Sequence, residues 1–91
     1  MVMQTKSITI TNKLGLHARA AARFVQLASH HESEINVSLS GKKVSGKSIM
    51  GIMMLAASKG TSIKISCAGT DEEQAMAQLE ELILDKFGED E

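Results

Sequence analysis

The stretch Gly15-Leu16-His17-Ala18-Arg19 brings a nucleophile and a cation within two residues of each other, just ahead of an alanine-rich run. If a helix starts at His17, its imidazole stands among backbone N–H groups that lack intrahelical partners. It also sits at the positive end of the helix dipole, where a phosphate is readily held. A ring nitrogen with a free lone pair can attack phosphorus, so this placement fits a phosphorylatable histidine. Arg19 can bring a planar, permanently charged guanidinium over incoming phosphoryl oxygens. The same five residues also fit a plain polar helix start exposed to water. No carboxylate pair, nucleophile dyad or metal-ligand set accompanies His17 in the sequence, which argues against a free-standing enzyme.

The elements that must position these residues follow from hydrophobic periodicity. Ser7–Thr11, Ile35–Ser40 and Ser62–Cys67 alternate apolar and polar residues, which predicts three strands, each with one dry face. Val44, after the turn Gly41-Lys42-Lys43, predicts a short strand paired with the second. A first helix follows His17, with Ala18, Ala21, Ala22, Val25 and Ala28 on one face and Phe24 and Leu27 widening it. A second, shorter helix begins at Ser48 as N-cap and turns Ile49, Ile52, Met53 and Ala56 inward. Thr70-Asp71-Glu72-Glu73 reads as a capping box for a third helix, with Ala75, Met76, Leu79, Leu82, Ile83 and Lys86 at helical spacing and Gly88 as its stop. The order β-α-β-β-α-β-α, with each strand apolar on one side only, predicts an α+β open-faced sandwich with all helices on one face. The last strand lies between the first two and antiparallel to both, giving order 1-4-2-3.

Length and composition narrow the function further. Ninety-one residues with 43% hydrophobic content suit one domain spanning 1–91. No apolar run can span a bilayer, and the N-terminus lacks a secretory stretch, so a cytoplasmic protein without membrane insertion is expected. Cys67 alone excludes an internal disulfide and suits core packing. Charge is lopsided, +7 over residues 1–69 and −8 over residues 70–91. The acidic end reads as a solvated helix face. With only Phe24 and Phe87 as aromatics and its basic residues scattered, the chain is not expected to bind nucleic acid. His30 and His31 read as solvated residues at the end of the first helix, and no metal site is expected.

Three segments resemble the HPr family, the histidine-containing phosphocarriers of the bacterial phosphoenolpyruvate-dependent phosphotransferase system. Asn12-Lys13-Leu14-Gly15-Leu16-His17-Ala18-Arg19 is similar to the family's active-site loop. Gly41-Lys42-Lys43-Val44 with Lys47-Ser48-Ile49-Met50-Gly51-Ile52-Met53 is similar to its regulatory-serine segment, and Ala57-Ser58-Lys59-Gly60 precedes a matching Ile-rich strand. The resemblance runs nearly end to end. It implies that His17 takes a phosphoryl group on Nδ1 from Enzyme I and passes it to a IIA protein or domain. Ala18 and Arg19 would steady the phosphate, with no bound cofactor.

The resemblance also implies that Ser48 is a target of HPr kinase/phosphorylase, beside its plain reading as an N-cap. Leu16, Ile49, Met50 and Met53 are the implied partner-docking residues, and the working unit is expected to be a monomer. Two branches of the family remain open, sugar uptake and the nitrogen-related regulatory branch. A phosphorylation-switched binding module acting on transcription factors or metabolic enzymes is the alternative function. One departure stands out: Ala20 occupies a position where the family most often has proline, so the first helical turn gains an N–H donor.

Overall fold

Period-two patterning gives each strand one face that must leave water, and four strands satisfy that need together in a computed structural model that describes residues 3–91. They are β1 (Gln4–Thr9), β2 (Glu34–Leu39), β3 (Lys42–Ser45) and β4 (Ser62–Ala68), joined in the order β1-β4-β2-β3 with every pair antiparallel. The register sets Ile8 opposite Ile63, Val37 opposite Ile65 and Ile35 opposite Cys67, all buried on one face. On the other face Ser7, Lys64, Ser38 and Lys43 form a row across all four strands. β1 starts three residues before its predicted start, because β4 is long enough to pair with it back to Gln4.

Three helices cover the apolar face: α1 (Ala18–Ser29), α2 (Ile49–Met54) and α3 (Glu72–Leu84). The architecture and strand order are those expected from the sequence. In α1 the buried side chains are Ala20, Ala21, Phe24 and Ala28, while Ala18 and Ala22 are exposed, so the helix is rotated from the expected stripe and centred on the Phe24 ring. In α2 only Ile52 is buried; Ile49 and Met53 face out. Ala56 lies beyond that helix with φ +52°, and Leu55 and Ala57 supply the burial that a longer helix would have given.

The start of α3 differs from the expected capping box. Asp71, not Thr70, is the N-cap, and its carboxylate makes no cap bond. It turns to the loop after α1 and accepts the backbone N–H of Glu32 at 2.9 Å, that of Ser33 at 3.0 Å, and the Ser33 hydroxyl. Two backbone donors and a hydroxyl from another segment outbid the single amide of its own helix. The Ser33 hydroxyl, then the Glu32 N–H, hold the Asp71 carboxyl well below the usual carboxylate range against a smaller opposing effect of burial. Glu72 instead accepts the Gly69 N–H at 3.1 Å. His31 is not solvated as expected: it is buried between Asp71 (3.2 Å from Nδ1) and Gln78 (2.9 Å from Nε2). His30 is the exposed C-cap of α1.

Beyond α3 the chain does not stop at Gly88. Lys86, Phe87 and Gly88 take positive φ in succession (+56°, +55° and +78°), forming a single left-handed turn. For Lys86 and Phe87 that conformation costs about 1–2 kcal/mol each. The turn is held by the Phe87 side chain, which is fully buried, and by the Arg23 guanidinium, which donates to the Phe87 carbonyl. Cys67 is buried in β4 without a disulfide. Burial first, then the charges of Asp71 and Glu72, push its thiol up to about 11. Among the described residues, no helix is long and apolar enough to cross a membrane.

Candidate functional site

His17 is the N-cap of α1, with extended backbone (φ −74°, ψ 178°), so its ring hangs beside the first turn. Nδ1 accepts the Arg19 backbone N–H at 3.3 Å, and the His17 carbonyl accepts the Ala21 N–H at 2.8 Å. The ring therefore caps the helix with the nitrogen that faces its electropositive end. It remains reachable, with 27% of its side chain exposed. His17, Ala18 and Arg19 line an open cleft of about 700 Å³ that Lys13, Leu14 and Glu89 complete.

The loop before His17 is seated by Gly15. Its φ of +67° is costly for any residue with a side chain, and a Cβ there would fall 2.4 Å from the Ala57 carbonyl oxygen. This close approach lets the Leu16 N–H reach the same carbonyl at 2.9 Å, tying the loop to the segment after α2. Leu16 is consequently buried, which leaves it little surface for the docking expected of it, whereas Leu14 is 68% exposed.

At the other ring nitrogen stands a group absent from the sequence reading. Nε2 lies 2.5 Å from Glu89 Oε2, and the second carboxylate oxygen of Glu89 accepts from Asn12 Nδ2 at 2.9 Å. Asn12 is fully buried, and its amide also donates to the Gly15 carbonyl at 2.8 Å. Both acceptors are oxygens, which fixes which end of the amide faces them. Its Oδ1 is buried without a hydrogen-bond partner among the described residues, a state that costs about 1–3 kcal/mol. Burial works to raise the Glu89 carboxyl, but the Asn12 amide, the His17 ring and the Arg19 charge outweigh it and hold the group below its ordinary value. Glu91 adds a carbonyl that accepts the Lys13 N–H at 2.5 Å and an ion pair with Lys13 at 3.2 Å. Nothing in the spacing of Glu89 and His17, 72 residues apart, signals their meeting; only the closing turn of the chain brings them together.

Ser48 is the N-cap of α2, and its hydroxyl accepts the Gly51 N–H at 3.1 Å. Met50 beside it is 70% exposed, and Ile49, Met53 and Met54 are exposed as well, so the short helix presents a flexible apolar surface.

Known proteins are similar to this chain over almost its full length. The family profile described as the PTS HPr component phosphorylation site matches residues 4–85. Phosphocarrier protein HPr of Neisseria meningitidis serogroup A is 54% identical over 89 residues, covering 98% of this chain and 100% of the relative. The crystal structure of HPr-C-His from Thermoanaerobacter tengcongensis superposes with a TM-score of 0.93 at 52% identity, covering 97% of this chain and 99% of that one. A structure described as an HPr dimer from the same organism gives 0.77 at 56% identity, covering 90% and 94%.

Proposed function

The chain belongs to the HPr family, the phosphocarriers of the phosphotransferase system, and from that premise we propose that His17 is the residue on which the phosphoryl group travels, arriving from Enzyme I and leaving to a IIA protein or domain. The observation that carries this reading is the placement of His17: a side chain still partly exposed, with Nδ1 at the electropositive end of α1 and facing the Arg19 amide. The Nδ1 lone pair forms the N–P bond as the donor's bond to phosphorus breaks and its electron pair returns to the donor. Backbone N–H groups of Ala18, Arg19 and Ala20, with the Arg19 guanidinium, are the groups available to hold the phosphoryl oxygens. A phosphoramidate is labile, so a grip made of amides and one mobile arginine suits a group in transit.

Residues 1–91 act as one domain, as a monomer in the cytoplasm, with the chemistry of transfer shared with each partner rather than performed alone. Ile49, Met50 and Met53, joined by Leu14, supply the apolar docking surface. Ser48 serves as a regulatory site for HPr kinase/phosphorylase. A phosphate there would add a charge of about −2 beside that surface and weaken docking to acidic partners.

The test is incubation with Enzyme I and phosphoenolpyruvate followed by intact mass measurement. One acid-labile phosphoryl group is expected on the native chain and none on H17A; absence of the label from the native chain would overturn the reading. Addition of a IIA protein should discharge the label. HPr kinase with ATP should leave an acid-stable label that S48A lacks.

A further inference from the structure

We propose that Glu89 is a positioning residue for phosphoryl transfer: held by Asn12, its carboxylate fixes the His17 ring with the proton on Nε2 and the lone pair on Nδ1, and steadies the charge the ring gains when Nδ1 bonds to phosphorus. This inference rests on the assignment of His17 as the phosphoryl-bearing residue. Its starting point is the pair of contacts on the two ring nitrogens. The Arg19 N–H can only donate, so Nδ1 must carry a lone pair. An ionised carboxylate can only accept, so Nε2 must carry the hydrogen that lies between it and Glu89 Oε2 at 2.5 Å. The two neighbours thus select one tautomer, and it is the one whose free nitrogen faces the helix end.

The same geometry meets the charge that transfer creates on the ring. When the Nδ1 lone pair forms the N–P bond, Nε2 keeps its hydrogen and the ring becomes cationic. A carboxylate hydrogen-bonded to the far nitrogen compensates that charge, as in other histidine-carboxylate pairs where the acid orients the ring and stabilises imidazolium without taking the proton. Because Nδ1 and Nε2 lie on different edges of the ring, the incoming phosphoryl oxygens do not displace Glu89. When the group leaves, the N–P electron pair returns to Nδ1 and the ring is neutral again, with its hydrogen still on Nε2.

Two independent features of the chain serve this contact. The left-handed turn Lys86–Gly88 places two non-glycine residues in an unfavourable conformation, and the residue it delivers to the ring is Glu89. Asn12 meanwhile leaves its own Oδ1 without a partner among the described residues while its amide nitrogen bridges Glu89 and the Gly15 carbonyl.

The experiment compares the native chain with E89A and with a second variant ending at Gly88, each checked for a native backbone amide spectrum. Two-bond 1H–15N correlation spectra of the imidazoles at pH 8 should show the native His17 almost wholly as the Nε2–H tautomer. In both variants it should relax toward the mixture shown by exposed His30. The rate of phosphoryl uptake from phosphorylated Enzyme I should fall about 10-fold, the scale on which orienting partners of histidine act. A native rate in E89A overturns the proposal whatever the ring signals show, and leaves the carrier reading of His17 intact. If the native chain accepts no phosphoryl group, the carrier reading fails, and unchanged ring signals in E89A would overturn the Glu89 assignment as well.

Discussion

Replacing Gly15 with alanine tests how the fold holds His17 at the head of α1. The residue has φ +67°, where an L side chain costs about 1–2 kcal/mol. A Cβ would also fall 2.4 Å from the Ala57 carbonyl oxygen and 2.9 Å from the Ser58 Cα, both of them backbone atoms that cannot rotate aside. The loop must retreat, and retreat breaks the Leu16 N–H bond to that carbonyl, worth about 1 kcal/mol. G15A should therefore lose about 2–3 kcal/mol, which for a domain of this size lowers Tm by about 10 °C or more. Urea unfolding followed by circular dichroism gives the stability, and amide shifts of residues 12–20 report the displaced loop. Phosphoryl uptake at His17 should fall more than the folded fraction does. A variant within about 0.5 kcal/mol of the native chain and with unmoved His17 and Leu16 amides would refute the argument that this approach needs glycine.

Removing the Ser48 hydroxyl in S48A deletes the cap bond to Gly51, and should cost about 1 kcal/mol by urea titration, whereas S48D, which keeps an acceptor at the cap, should stay near native stability. Asp71 sets an acid limb: its folded carboxyl lies below its unfolded value, so the stability it contributes is complete above the unfolded value and is lost as pH falls toward the folded one. Urea midpoints measured from pH 6 downward should fall below about pH 4, where an unfolded aspartate begins to protonate, and should fall less steeply in D71N. Cys67, buried and with its thiol pushed up to about 11, should resist iodoacetamide at pH 8 in the folded protein and react once the chain is unfolded in urea, as read by intact mass.

The strands and the strand order were legible because a half-buried sheet writes its two faces into alternate residues, as in Ile63, Ile65 and Cys67. Helix α1 was legible as a helix but not in rotation, because a run of alanines carries little information about which of them meets the sheet. The Thr70–Glu73 capping signature failed because it is local, while the Asp71 carboxylate answers to Glu32 and Ser33 in a loop some 38 residues away. The burial of His31 has the same non-local origin: its partners are Asp71, the N-cap of α3, and Gln78 within that helix. At the candidate site, the sequence places His17 and Arg19 together at a helix start, and the structure has them there, His17 as N-cap and Arg19 in the first turn of α1. Glu89 could not, because its approach depends on a turn of positive φ at Lys86 and Phe87, residue types that carry no signal for that conformation.

Ala20 occupies the third position of α1, where a proline would have no amide hydrogen. Its presence turns the head of this helix into three consecutive reporters, Ala18, Arg19 and Ala20, each visible in a proton–nitrogen spectrum. As phosphoryl oxygens settle over the helix tip, these resonances should move downfield together and exchange with solvent more slowly. Loading and unloading of the carrier can then be followed in real time without a radioactive label.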